Sequence, residues 1–346
     1  MKKVTASDVA KLAGVSQATV SFVLNSRVDI SISETTRKKV LDAAKKLNYI
    51  PGTFSPSKNR PKSKTIGLLI PNLSNPFYPK LVGLIENYAA KYGYSIILCN
   101  TNRRISEESF YLRKLYDSGV DAVIFGLTPR DHAYVNTFAD KLPIVIIGET
   151  DDRYKIPSFE MNSIMCGQMM AEHLIELGHK KIGFISTPID NITFGRKKRL
   201  LGVRKTIAAH DDCELVVKID NQENEIYDGA YELEVGYKLA TELVKDKDIT
   251  AIIAANDIIA CGVLQSLADA GISVPQDISV CGFDNVNLSE IVRPKITTID
   301  YMLSHRCMVA MLTIIDMIEY NENCEIKAEC KPQLIIREST APPRKK

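Results

Sequence analysis

From Thr65 onward, short apolar runs alternate with helix-length stretches, and this alternation restricts the fold more than any other feature of the chain. Ile66-Gly67-Leu68-Leu69-Ile70, Tyr94-Ser95-Ile96-Ile97-Leu98, Ala122-Val123-Ile124-Phe125 and Ile144-Val145-Ile146-Ile147 are too short for core helices and too continuously apolar for half-exposed strands. They read as parallel strands covered on both faces, with helices at about 79–92, 105–117 and 131–140 between them. A second unit of the same kind starts at a helix over Asn162 to Leu177. It continues with strands at Lys181-Ile182-Gly183-Phe184-Ile185, Leu215-Val216-Val217, Ala251-Ile252-Ile253-Ala254 and Ile278-Ser279-Val280-Cys281. After Thr297 the chain is expected to return to the first unit through a helix of about 303–320 and strands near 326–337. The predicted class is α/β, with two doubly wound lobes: an N-lobe over about 65–160 and 297–346, and a C-lobe over about 162–296. Two such lobes joined by crossing segments enclose a cleft at the carboxyl ends of their strands, where a small molecule fits.

The first 49 residues follow different rules. Thr5-Ala6-Ser7-Asp8 is a capping box, Val9, Leu12 and Ala13 follow at helical spacing, and Gly14 stops that helix at a sharp turn. Ser16 caps a second helix whose Val20, Val23 and Leu24 face inward. Gln17, Ala18, Ser21, Phe22 and Asn25 fall on its opposite face, a set of small, hydroxyl and amide groups suited to base edges and phosphate oxygens. A third helix, capped near Ser33 and apolar at Val40, Leu41, Ala44 and Leu47, closes a three-helix core over Val9, Leu12, Val20 and Val23. The arrangement is helix-turn-helix, the second helix being the one that enters the major groove. Residues 50–64 form a linker broken by Pro51, Gly52, Pro56 and Pro61.

Charge supports this division. Residues 1–64 carry 13 Lys and Arg against four acids, a balance of +9, while the remainder carries −7 within a nearly neutral total of +2. A basic head on an acidic body is expected of a chain that meets phosphate at one end. No run reaches the roughly 18 apolar residues of a membrane helix, and Met1-Lys2-Lys3 leads into a polar helix, so a cytoplasmic protein is expected. No two of the eight cysteines stand at C-x₂-C or C-x₄-C spacing, so buried free thiols are expected, with no metal site. No G-x-G-x-x-G follows a strand, no G-x₄-G-K-[ST] occurs, and the five histidines lie near no nucleophile at a recognisable spacing. The expectation is a binding protein with no cofactor, not an enzyme.

Val4-Thr5, Asp8-Val9-Ala10, Ala13-Gly14-Val15-Ser16 and Ala18-Thr19-Val20-Ser21 with Val23-Leu24-Asn25 resemble the opening of the LacI/GalR family of bacterial transcription repressors. The likeness continues through Thr65 to Pro71, Ser74-Asn75-Pro76-Phe77-Tyr78, His173 to His179, Ala254-Ala255-Asn256-Asp257, Val280 to Asp284 and Arg337-Glu338-Ser339-Thr340. It implies a repressor that reads a near-palindromic operator as a homodimer, with an effector domain similar to periplasmic sugar-binding proteins. A small-molecule effector, most simply a sugar, is then a partner beside operator DNA. A solute-binding protein, or a regulator answering to a nucleobase or a protein co-repressor, remains the alternative, and inducer and co-repressor fit equally.

The DNA-facing set is Thr5, Ser16, Gln17, Ala18, Thr19, Ser21, Phe22, Asn25, Ser31, Lys58 and Arg60. Phe22 is expected to touch a thymine methyl or sugar, or equally to pack against the linker. Relatives push a Leu from a linker helix between base pairs, whereas the matching residue here is Lys58 with Pro56 in the same turn. Lys58, Arg60 and Lys62 are therefore expected on phosphates or in a narrow minor groove. For the effector, Ser74, Phe77, Arg199, Asn256, Asp257 and Asp284 lie at strand ends or on flanking helices. Amides, carboxylates and a guanidinium supply directional partners for hydroxyls and an aromatic ring supplies a platform for C–H faces, while Arg199 matches the Arg of the family's R-L-x-G motif. Asp257 is read equally as a helix cap. Two departures, Gly148 with Glu149 displaced by one, and Met161-Asn162 in place of Asp-Asn, are expected to remove carboxylates from the cleft.

Overall fold

The computed structural model describes residues 6–24, 32–47, 62–189, 193–221, 230–320 and 326–344. The chain divides into two compact units near residue 60. The first holds α1 (Ala6–Ala13), α2 (Gln17–Leu24) and α3 (Glu34–Lys46). Gly14 turns the chain after α1 at φ +68°, a conformation a Cβ would oppose. The Ser16 hydroxyl then accepts the Thr19 N–H at 3.1 Å, and Ser33 accepts the Thr36 N–H at 3.2 Å at the start of α3.

The three helices meet over Val9, Ala10, Ala13, Val20, Val23, Val40, Ala43 and Ala44. Two expected core residues are outside: Leu12 is 48% exposed and Leu41 49%. Side chains advance about 100° per residue, so a stripe through Val9, Ala13 and Ala10 leaves Leu12 on its flank. Val40, Ala43 and Ala44 displace Leu41 in the same way. Alanines let the short helices approach closely, and the core follows them instead of the leucines.

In the second unit, the first lobe is built by β1 (Thr65–Ile70), α4 (Phe77–Lys91), β2 (Ser95–Asn100), α5 (Ile105–Ser118), β3 (Ala122–Phe125), α6 (His132–Ala139), β4 (Ile144–Ile146) and β5 (Ser158–Met161). The other lobe follows as α7 (Ser163–Glu176), β6 (Lys181–Ser186), α8 (Phe194–Ala208), β7 (Glu214–Ile219), α9 (Tyr231–Leu243), β8 (Ala251–Ala254), α10 (Asp257–Asp269), β9 (Ser279–Cys281) and α11 (Leu288–Ile291). The chain ends with β10 (Thr298–Asp300), α12 (Leu303–Tyr320), β11 (Lys327–Cys330) and β12 (Gln333–Ile335). One sheet runs β11-β5-β4-β3-β1-β2 and the other β7-β6-β8-β9, parallel throughout, while β10 and β12 pair antiparallel.

The final segment is shared between the lobes. α12 packs on α4 and β11 enters the first sheet beside β5, whereas the tail bonds to the end of β9. Val280 N–H donates to the Ser339 carbonyl at 2.8 Å, and Ala341 N–H to the Ser279 hydroxyl at 3.0 Å.

Glycines set the helix pairs that carry the cleft residues. A Cβ on Gly202 of α8 would collide with the Ile164 carbonyl of α7, and one on Gly167 with the Arg199 carbonyl. The two backbones therefore touch, which fixes where α8 presents Arg196 and Arg199.

Candidate functional site

The two parallel sheets leave a cleft of about 140 Å³ where the loops after β1, β3, β4, β8 and β9 meet the start of α8. Phe77, Arg199, Asn256 and Asp284 all line it. Phe77 stands edge-on to Tyr78, with ring centroids 5.2 Å apart, and gives the wall an aromatic face. Arg199 is buried, with Nη1 donating to the Ala255 carbonyl at 2.6 Å and Nη2 lying 3.4 Å from Asp284 Oδ1. Its guanidinium also lies over Phe283 and Tyr301, 5.1 and 5.0 Å from their ring centres. Asp284 has φ +106°, unusual for a residue with a Cβ, and its N–H donates to the Ile299 carbonyl at 3.1 Å. Burial pushes its carboxyl up to about 6 against the opposing pull of Arg199.

Two of the expected effector residues stand elsewhere. Ser74 is exposed and off the cleft wall. Asp257 is fully buried and also off the wall. Its carboxylate accepts the Val286 N–H at 3.0 Å and the Thr298 hydroxyl at 2.7 Å, and burial, with Asp284 nearby, holds the carboxyl well above its usual range. Nor is it the cap of α10, which is Asn256, accepting from Ile259 N–H at 2.9 Å. Asp257 instead ties down the loop that presents Asp284.

The cleft also holds residues that strand-end reasoning passed over. Glu232, in the first turn of α9, accepts from Asn75 at 2.7 Å and Asn256 at 2.9 Å, with Arg196 3.6 Å away. It follows no strand directly, so its only sequence signal was an acid at a helix start, which dipole complementarity already explains. Glu149 corrects the expectation of a missing carboxylate. Displaced by one residue, it still lines the cleft, accepting the Ser163 N–H at 2.8 Å and pairing with Lys198 at 2.6 Å.

On the head, Gln17 and Ala18 are exposed, and Thr19 and Phe22 half-buried. Ser16 spends its hydroxyl on the cap and on a 2.9 Å bond with Thr19. Thr5, Asn25, Ser31, Lys58 and Arg60, and the Ser21 side chain, lie outside the described residues. Lys62 pairs with Glu319 of α12 at 2.5 Å.

Known proteins match both parts of this architecture. Residues 5–52 match the model of bacterial regulatory proteins of the lacI family, and residues 171–340 that of a periplasmic binding protein-like domain. The HTH-type transcriptional repressor PurR of Photobacterium profundum is 33% identical over 97% of this chain and 98% of its own length. The HTH-type transcriptional regulator RegA of Clostridium saccharobutylicum is 36% identical over 96% of this chain and 98% of its own. Among solved structures, a periplasmic binding protein/LacI transcriptional regulator from Alkaliphilus metalliredigens QYMF, complexed with D-xylulofuranose, is 28% identical with a TM-score of 0.71, covering 80% of this chain and 99% of that one. With identity above 30% across nearly the whole of both chains, and with the reading head and the two-lobed body in the family's order, the chain belongs to the lacI family of bacterial regulatory proteins.

Proposed function

We propose that this protein is a transcriptional repressor that binds a near-palindromic operator as a homodimer and answers to a small sugar in the interlobe cleft. The observation that carries the effector reading is the cleft itself, where the aromatic Phe77 shares the wall with fixed polar groups at Asn256, Asp284 and Arg199. Polyol recognition needs this pairing of an apolar platform with directional donors and acceptors. The D-xylulofuranose held by the Alkaliphilus relative supports the same class of ligand. The protein acts by differential binding in place of catalysis: a ligand that prefers one arrangement of the lobes shifts the population the operator sees.

A second copy is expected on the side of the first lobe where exposed apolar side chains concentrate, at Tyr92, Ile97, Leu98, Ile105 and Phe110. β2 is the edge strand of its sheet there, a position that asks for cover.

A thermal-shift screen of neutral pentoses and hexoses, with nucleobases as the competing class, tests the effector reading, because a ligand of the native state raises Tm. Asp284→Ala is expected to lower the affinity for the responding sugar by about 100-fold, through the lost acceptor and the unpaired buried Arg199. Unchanged affinity, or a response confined to nucleobases, overturns the reading.

A further inference from the structure

Glu232 receives the side-chain amides of both lobes on one carboxylate. Asn75 Nδ2, from the loop before α4, donates to Oε2 at 2.7 Å, and Asn256 Nδ2, at the start of α10, donates to Oε1 at 2.9 Å. The Arg196 guanidinium stands 3.6 Å away. Each asparagine is pinned at its other end, since Asn75 Oδ1 accepts the Phe77 N–H and Asn256 Oδ1 the Ile259 N–H, both at 2.9 Å. Flipping either amide would strip a helix start of its acceptor, so both NH₂ groups are committed to the gap between the lobes. The Glu232 side chain is 15% exposed and each asparagine 6%, which shields these charge-assisted bonds from water and salt.

We propose that Glu232 is a resident ligand of the cleft. Its carboxylate latches the lobes together before any effector arrives, and it occupies the two amide donors, beside the Arg196 guanidinium, that an external carboxylate or phosphate would use. Uncharged effectors then bind beside the latch, while anionic ones must first displace it. The meaning for regulation rests on the cleft being the effector site, but the latch is tested without effector or DNA.

Hydrogen–deuterium exchange of the full chain, read on peptides covering 126–130 and 193–199 in the cleft walls, reports closure. Glu232→Gln offers one oxygen to two asparagine NH₂ groups and removes the charge that strengthens both bonds, and Asn75→Asp sets a carboxylate against a carboxylate while still capping Phe77. Each is expected to speed exchange in these peptides by about tenfold or more. The double variant exchanges donor and acceptor, so that the bond re-forms and exchange returns to within about threefold of the parent. Single variants that exchange like the parent overturn the latch, as does a double variant as fast as the singles. If a single variant melts out, Glu232→Ala replaces it, with sodium acetate compared against sodium chloride at matched ionic strength. Acetate is expected to slow exchange and raise Tm in this variant and not in the parent, and equal behaviour in the two salts contradicts the proposal.

Discussion

His179 lies beneath the C-terminal tail, with Nε2 3.0 Å from the Ala341 carbonyl and Nδ1 2.8 Å from the Thr250 hydroxyl. A carbonyl only accepts, so Nε2 carries the proton and Nδ1 accepts from Thr250. Burial depresses the imidazole to about 4, with nearby His173 also disfavouring the charge, while an unfolded histidine titrates near 6.5. The folded state therefore binds fewer protons between those values. Stability is fully present above about pH 6.5 and is lost as pH falls through 4, by on the order of 3 kcal/mol. Asp284 works in the opposite sense: raised to about 6, it favours the fold below the ordinary carboxylate range and loses that contribution as pH rises through 6. Denaturant titrations from pH 7 to 4 are expected to show a shallower acid loss in His179→Gln than in the parent. Equal slopes would mean that the tail opens before the histidine charges.

Among the strands and helices, the alternation of apolar runs and helical periods places both lobes, because continuously apolar strands announce themselves by composition. β2, expected to be covered on both faces, lies instead at the sheet edge and leaves Ile97 and Leu98 exposed. β5 is not legible in the sequence, since the alternation of Ser-Phe-Glu-Met spans only four residues and includes no continuous apolar run, and it is recruited by its neighbours β4 and β11. The tail's attachment to β9 depends on hydrogen bonds between residues about 60 apart, which no local pattern encodes. Strand-end logic leads to Asn256 and Asp284, which line the cleft, and to Asp257, which lies off its wall, because a buried carboxylate that organises a loop and one that meets a ligand look alike in sequence. In the head, local sequence locates the turn at Gly14 and the caps at Ser16 and Ser33, and the alanine-rich contact decides which leucines stay outside. The exposed start of α2 gives the DNA reading its sharpest test. Gln17→Ala is expected to weaken operator binding by roughly 1–3 kcal/mol and to relax preference at one base position, as read from sites selected out of random duplexes. A parent-like sequence logo would remove Gln17 from base contact.

Across the full chain, the proposed repressor function requires two-fold symmetry and cleft closure to act together. Two heads read inverted half-sites only if the bodies pair, and ligand in the cleft matters to DNA only if the lobe arrangement alters how those heads are presented. Phe110→Glu places a charge on the patch proposed for the second copy, and sedimentation equilibrium is expected to show dimer dissociation raised about tenfold or more, with operator affinity falling in parallel. A variant that remains as dimeric as the parent would move the interface elsewhere. The coupling between cleft and operator is measured by fluorescence anisotropy on a selected operator, with the sugar found in the thermal screen titrated into the full chain. The expected result is an operator Kd that changes by about tenfold or more with sugar in the parent, and stays constant in Asp284→Ala, whose sugar-free operator affinity remains within about tenfold of the parent. A sugar that saturates the cleft and leaves the parent's operator Kd unchanged would contradict ligand-responsive repression by this chain.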